Sequence, residues 1–123
     1  MPKVILIVED EPSILENLTD VVEYSGHLPV VARNTIEALN LVETFEIDCI
    51  LCDIKLPGNS GLYFARQLRQ LGINIPIIFQ TAWLESIALL EAKEYGKVLV
   101  KPYELLELTT LIKEVLNETI KEL

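Results

Sequence analysis

Short runs of apolar residues alternate along the chain with segments in which apolar residues recur at helical spacing. The short runs predict strands, and because they are nearly all apolar they favour a parallel sheet that is covered on both faces. They lie at residues 4–8, 28–32, 49–52, 77–79 and 98–100. Each run is followed by a segment with helical periodicity, so the pattern predicts five strand–helix units in one α/β domain.

Local signals place the helices between these strands. Pro12 suits the first turn of helix one, Gly26 ends that helix, and Asn34 with Glu37 predicts a capped start of helix two. Helix three is predicted at 62–71, a short helix four at 87–90 and helix five at 105–116. With right-handed crossovers, these elements build a small doubly wound sandwich.

Polar residues end four of the predicted strands. Glu9 and Asp10 follow the first strand, Asp53 the third, Thr81 the fourth and Lys101 the fifth. The carboxyl ends of parallel strands share one edge, where open α/β sheets bind ligands, so we expect these side chains to meet.

Three carboxylates at this edge repel one another, and one lysine compensates only in part. A divalent cation would balance the remaining charge, and ligands that are all oxygen suit Mg²⁺. A carboxylate nucleophile, a metal ion, the Thr81 hydroxyl and the Lys101 ammonium together favour phosphoryl chemistry.

Other polar or reactive residues have simpler interpretations. Glu11, beside Pro12, is interpreted as an ordinary helix-start charge. Cys49 and Cys52 form a C-x-x-C, but residues three apart on a strand face opposite sides, which indicates two small buried residues rather than a redox or metal pair. His27 is predicted to be an exposed loop residue.

The charge balance restricts the partners. The 123 residues include 19 acidic and 10 basic side chains, for a formal net charge of −9. Such a surface repels nucleic acid and anionic lipid, so no direct nucleic-acid or membrane binding is expected. Because no apolar run approaches membrane-spanning length and no signal peptide is evident, the expected location is cytoplasmic.

Three motifs resemble the CheY-like receiver domains of two-component response regulators. They are Val-Ile-Leu-Ile-Val-Glu-Asp-Glu-Pro at 4–12, Asp-Ile-Lys-Leu-Pro-Gly at 53–58 and Val-Leu-Val-Lys-Pro-Tyr at 98–103. The resemblance spans essentially the whole chain. It implies a flavodoxin-like sheet of order 2-1-3-4-5 and one receiver domain over residues 1–123, with 117–123 as a helix end or the start of a linker.

The resemblance also implies a phosphorylation site. Asp53 would take a phosphoryl group from a sensor histidine kinase or a histidine phosphotransfer protein. Mg²⁺ would be held by Asp10, by Glu9 acting through water, by Asp53 and by the backbone carbonyl of Lys55. The chain would then signal to a downstream protein or effector domain, and would catalyse only its own phosphorylation and dephosphorylation.

Two further family positions would contact the phosphoryl group. The Thr81 hydroxyl would move to hydrogen-bond it and Lys101 would form an ion pair with it, while the peptide bond between Lys101 and Pro102 is expected to be cis.

The sequence departs from the family pattern around the conformational switch. Val98 stands where the family usually has an aromatic residue, Tyr95 is a candidate substitute, and helix four is expected to be shifted or shorter than usual. Trp83 and Lys55 border the site in this family. Two interpretations of Trp83 stay open: it restricts the attacking water and tunes phosphoryl lifetime, or it packs on the surface. Lys55 would alter access to the site.

Two other functions compete with a phosphorylated receiver. One is a protein-interaction module that has kept the fold but has an atypical or lost switch, for which Val98 leaves room. The other is an aspartyl phosphohydrolase, which would need an acid at position 55, where lysine stands. With no nucleotide-binding G-x-x-x-x-G-K-[ST] loop and no DNA-binding segment after the last helix, the chain is expected to be a stand-alone regulator or an excised receiver. Homodimerisation stays open.

Overall fold

The computed structural model describes residues 2–56, 58–82 and 86–117, and over these ranges the chain alternates strand and helix as predicted. The strands are β1 (Val4–Val8), β2 (Leu28–Ala32), β3 (Cys49–Asp53), β4 (Ile77–Thr81) and β5 (Lys97–Val100). The helices are α1 (Pro12–Tyr24), α2 (Thr35–Thr44), α3 (Gly61–Gln70), α4 (Ser86–Tyr95) and α5 (Leu105–Val115).

The five strands form one parallel sheet in the order β2-β1-β3-β4-β5. This order confirms the flavodoxin-like α/β fold expected from the resemblance. The chain first winds outward from β1 to β2 and then returns to place β3 on the other side of β1. The strand order therefore reverses between β1 and β3, at the position where ligands bind in such sheets.

Apolar side chains on the two sides of the sheet form two separate core clusters. One cluster packs beneath α2, α3 and α4 and has Phe64 and Phe79 among its fully buried members. The other packs beneath α1 and α5. Cys52 belongs to the first cluster and Cys49 to the second, and both thiols are free and buried. This arrangement confirms their interpretation as buried residues on opposite faces.

His27 contradicts the prediction of an exposed loop residue, because only 5% of it is accessible to solvent. It directly precedes β2, and the backbone N–H of Leu28 donates to the carbonyl oxygen of Lys3 at 2.8 Å. The His27 Nδ1 in turn accepts from the Lys3 N–H at 3.0 Å. Because β2 pairs with β1, His27 lies against Lys3 and is buried. A local sequence pattern cannot predict this burial.

The predicted capped start of helix two is confirmed, whereas helix four is longer than predicted. Asn34 caps α2, since its Oδ1 accepts from the Glu37 N–H at 2.9 Å. Helix α4 runs over Ser86–Tyr95 and is therefore longer than the predicted segment 87–90. The prediction was short because the apolar run stops at Leu90, whereas the second half of α4 is anchored by the buried Ala92.

Candidate functional site

The end of β1 presents two acids in different environments. Glu9 follows the last residue of β1, and its N–H continues the pairing with β2 by donating to the Ala32 carbonyl oxygen at 3.0 Å. This extended backbone keeps Glu9 within the sheet, where only 1% of it is exposed. Asp10 is one residue further on and is exposed. The acidic pair is thus one buried carboxylate beside one accessible carboxylate.

Asp53 is the last residue of β3, and 8% of it is exposed. Its Oδ1 accepts a hydrogen bond from the backbone N–H of Lys55 at 3.2 Å. The backbone of Asp53 also meets the start of α3, because a Cβ at Gly61 would collide with the Asp53 carbonyl oxygen. Glycine at position 61 therefore permits the close approach of α3 to the strand end that carries this carboxylate.

Lys101 brings a positive charge to both buried acids. Its Nζ donates to Asp53 Oδ2 at 3.2 Å and lies 3.7 Å from Glu9 Oε1. Its backbone N–H donates to the Thr81 carbonyl oxygen at 2.8 Å, which continues the pairing of β5 with β4. The Lys101–Pro102 peptide bond is cis, as the resemblance implied.

These side chains line one open cleft of about 510 Å³ at the carboxyl edge of the sheet. The sequence predicted that the polar residues ending four strands would meet, and the cleft includes all of them. Its lining consists of Glu9, Asp10, Glu11, Ile14, Asp53, Lys55, Leu56, Thr81, Ala82 and Lys101. Among the lining residues Asp10 and Lys55 are exposed to solvent, whereas Asp53 is buried.

Burial dominates the electrostatics of Glu9. It raises the pKa of the Glu9 carboxyl above its ordinary value, and the Asp53 charge raises it further, while the Glu11 N–H and the Lys101 charge oppose both effects. Glu9 Oε2 accepts from the Glu11 N–H at 3.1 Å, but Oε1 is buried and has no hydrogen-bond partner among the described residues. Glu11 itself is an exposed residue at the start of α1, as predicted.

One pair of residues near the cleft was not predicted from the sequence. The Tyr103 hydroxyl donates to Gln80 Oε1 at 2.6 Å, and Gln80 lies opposite Asp53 in the pairing of β3 with β4. Burial raises the pKa of Tyr103 to about 12, helped by the negative charges of Glu9 and Asp53. Two features of the sequence could have indicated this pair, namely a glutamine inside an apolar strand and a tyrosine directly after Lys-Pro.

The residues singled out for switching lie apart from the cleft or outside the described ranges. Val98 and Tyr95 are partly buried and pack against the core cluster beneath α2, α3 and α4, and neither lines the cleft. Trp83 falls outside the described residues. The aromatic switch position of the resemblance is therefore occupied here by a partly buried aliphatic side chain, Val98.

The described part of the chain lacks both a metal-holding cluster of side chains and a membrane-spanning helix. Across 2–56, 58–82 and 86–117, no three His, Cys, Asp or Glu side chains are gathered as a metal-holding group. Over the same ranges, none of the helices has the length and apolar character that crossing a membrane requires.

Comparison with known proteins gives the family of this chain. The model of the response regulator receiver domain matches residues 5–113, and the chain belongs to that family. The chain is therefore a receiver domain of the two-component response regulator class, whose family function is phosphorylation on an aspartate. Receiver domains of this family interact with histidine kinases and effector domains, and they bind Mg²⁺ at the phosphorylation site.

Individual relatives agree with this assignment. The chain is 37% identical over 121 residues to the phosphate regulon transcriptional regulatory protein PhoB of Pseudomonas aeruginosa, covering 95% of this chain and 53% of PhoB. It is 31% identical over 118 residues to sporulation initiation phosphotransferase F of Bacillus subtilis, covering 94% of this chain and 95% of that protein. The crystal structure of a putative response regulator from Chloroflexus aurantiacus superposes with a TM-score of 0.87 at 31% identity, covering 95% and 99%.

The curated relatives differ in length. The chain spans about half of PhoB and of several regulators named MprA, but nearly all of sporulation initiation phosphotransferase F. The matched part of this chain overlaps residues 5–113, over which the receiver-domain model also matches.

Proposed function

We propose that Asp53 is the phosphoacceptor of this receiver domain. The observation that supports the proposal is the contact of the Lys101 ammonium with Asp53 Oδ2 at 3.2 Å, at the bottom of an open cleft. A carboxylate oxygen attacks the phosphorus of a phosphohistidine on a sensor kinase or phosphotransfer protein. The phosphorus–nitrogen bond breaks, and the electron pair leaves with the histidine nitrogen. The product is an acyl phosphate, which water later hydrolyses to carboxylate and inorganic phosphate.

Lys101 and Thr81 act on the charge of the transferred group. The ammonium that pairs with Asp53 before the reaction is close enough to neutralise the phosphoryl oxygens after it. The Thr81 hydroxyl is proposed as a hydrogen-bond donor to one of these oxygens. Thr81 is buried and only 20% of the Lys101 side chain is exposed, which strengthens their interactions with the added charge.

The donor set at the cleft also fits Mg²⁺. Glu9 Oε1 is a buried oxygen without a hydrogen-bond partner in the described part of the chain, and such an oxygen gains from a nearby cation. Glu9, Asp10, Asp53 and the Lys55 carbonyl would hold the ion, which needs only one or two carboxylates because it keeps several waters. When bound, the ion would neutralise charge on the transferring phosphoryl group.

We further propose that the chain acts as a receiver over its whole length and catalyses only its own phosphorylation and dephosphorylation. Its partners are a phosphohistidine donor and a downstream protein or effector domain, with no direct contact to nucleic acid or membrane. Because phosphohistidine kinases use ATP, the proposed location is the cytoplasm. Lys55, exposed at the mouth of the cleft, is proposed to alter access, and the tuning role of Trp83 stays a prediction.

The test of this proposal is phosphorylation by a small donor. The protein is incubated with acetyl phosphate and Mg²⁺, and intact mass is recorded for the wild type, Asp53→Asn and Asp48→Asn. We expect one added phosphoryl group in the wild type and none in Asp53→Asn. Asp48 is a matched control because it precedes β3 at the opposite edge of the sheet, where its Oδ2 accepts from the Val4 N–H at 2.8 Å.

One observation favours a second candidate function. Val98 is a partly buried aliphatic residue that packs against the core at the position where the family usually has an aromatic switch. A domain that binds partners without phosphorylation would tolerate this residue. A wild-type protein that gains no phosphoryl group under the conditions above, while remaining folded, would support that module and overturn the phosphoacceptor proposal.

A further inference from the structure

The segment that carries Lys101 is attached to the end of β4 at two points. The Lys101 N–H donates to the Thr81 carbonyl oxygen at 2.8 Å. Two residues later, the Tyr103 hydroxyl donates to Gln80 Oε1 at 2.6 Å. Gln80 and Thr81 are consecutive residues, so both attachments join the lysine segment to one short piece of strand beside Asp53.

The second attachment is made between two side chains, of which Gln80 is buried and Tyr103 is partly buried. Gln80 is 1% exposed, and Tyr103 packs with its ring against the core cluster beneath α1 and α5. Gln80 Nε2 is buried and lacks a hydrogen-bond partner among the described residues. An apolar pair of similar size would avoid this desolvation cost, so packing stability alone does not account for the glutamine.

The hydrogen bond between Gln80 and Tyr103 is also well suited to fix the position of the segment that carries Lys101. A short hydrogen bond between a neutral donor and a neutral acceptor is directional, and partial burial reduces the competition from solvent. The Tyr103 hydroxyl is the donor of this bond, and because burial raises its pKa it stays protonated well above neutral pH. The contact consequently fixes the distance between β4 and the residue that lies two positions after Lys101.

We propose that Gln80 and Tyr103 are positioning residues for phosphoryl transfer, and that their hydrogen bond holds the Lys101 ammonium against Asp53. This inference rests on the proposed phosphorylation of Asp53. Neither residue touches the reacting atoms, and both act through the placement of Lys101. Loss of their bond lets the lysine segment shift, and small displacements of a group that stabilises the transition state reduce rates steeply.

The test compares the single variants Gln80→Leu and Tyr103→Phe with the double variant. Each single substitution leaves one buried polar group unpaired, so each lowers both the free energy of unfolding and the phosphorylation rate. The double variant replaces the pair by apolar groups, and its free energy of unfolding is expected to return close to the wild-type value. Its phosphorylation rate with acetyl phosphate and Mg²⁺ is expected to remain lower by about fivefold, because Lys101 is still unanchored.

The double variant separates positioning from stability even if a single variant fails to fold. A double variant that is phosphorylated at the wild-type rate overturns the inference. The control is Tyr63→Phe with Gln70→Leu, which makes the same chemical changes at exposed positions of α3 and should leave the rate unchanged. An unphosphorylated wild type would instead contradict the proposed function, so the two failures are distinguishable.

Discussion

Tyr103 is a residue whose protonation can be followed directly. Burial and two nearby carboxylates raise its pKa to about 12, whereas an exposed tyrosine ionises near about 10. We expect the difference in near-ultraviolet tyrosinate absorbance between the wild type and Tyr103→Phe to be absent at pH 10 and to appear only about two pH units higher. Loss of the Gln80 amide in Gln80→Leu should leave this delay largely in place, because burial is its main cause.

The same shift predicts how stability depends on alkaline pH. The folded protein retains the Tyr103 proton to a higher pH than the unfolded chain does, so the folded state binds more protons between about pH 10 and about 12. The contribution of Tyr103 to stability is therefore complete below about pH 10 and decreases as the pH rises through that window. The free energy of unfolding, measured with denaturant, should decrease less steeply with pH in Tyr103→Phe than in the wild type over this window. Equal slopes in the two proteins would contradict the assignment of the shift to Tyr103.

At the scale of elements, α3 and α4 are joined by two arginines of different character. The Arg69 guanidinium donates to the Ile73 carbonyl oxygen at 2.8 Å and to the Tyr95 carbonyl oxygen at 3.1 Å. It therefore ties the end of α3 to the end of α4. The Arg66 Nε lies 3.0 Å from Glu91 Oε2, but 48% of the arginine side chain and 32% of the glutamate side chain are exposed.

Because the two arginines differ in their contacts, replacing each by methionine should lower the free energy of unfolding by different amounts. Arg69→Met should lower the free energy of unfolding by about 1 to 2 kcal/mol, because two backbone carbonyls lose a charged donor. Arg66→Met should cost less than about 1 kcal/mol, as exposed ion pairs do. Urea unfolding of the two variants checks this order, and a larger loss in Arg66→Met would show that the surface pair is the main link.

The elements also show what the sequence could predict. β3 and β4 were predictable because strands buried on both faces are continuously apolar, and the polar residue ending each strand placed the cleft. The burial of His27 was not predictable, because it depends on Lys3, 24 residues away. The Tyr103–Gln80 bond likewise joins residues that are 23 positions apart, and periodicity carries no information about such a pairing.

At the scale of the whole molecule, the charge of −9 and the acids of the cleft respond to different cations. Monovalent salt screens repulsion over the surface and should raise the midpoint of thermal unfolding gradually. Mg²⁺ should raise it further at equal ionic strength, because a ligand that binds only the folded state adds about 2.7 kcal/mol at about one hundred times its Kd. Thermal unfolding in NaCl and in MgCl₂ at matched ionic strength measures the difference.

Single substitutions assign this difference to the cleft. Asp10→Asn should remove most of the stabilisation that is specific to Mg²⁺, whereas Asp20→Asn, an equal change of charge at an exposed position of α1, should keep it. If both variants lost the same amount, Mg²⁺ would be acting on the general surface charge.

The buried Glu9 oxygen that accepts no hydrogen bond from the described residues has a consequence for protein engineering. A neutral residue at position 9 relieves the cost of burying a carboxylate, and it removes a group that we propose to attract the cation. Selection of this domain for heat resistance in the absence of divalent cations would thus enrich substitutions at position 9 and discard signalling in the same step. Heat resistance and signalling therefore have to be selected together, with Mg²⁺ present.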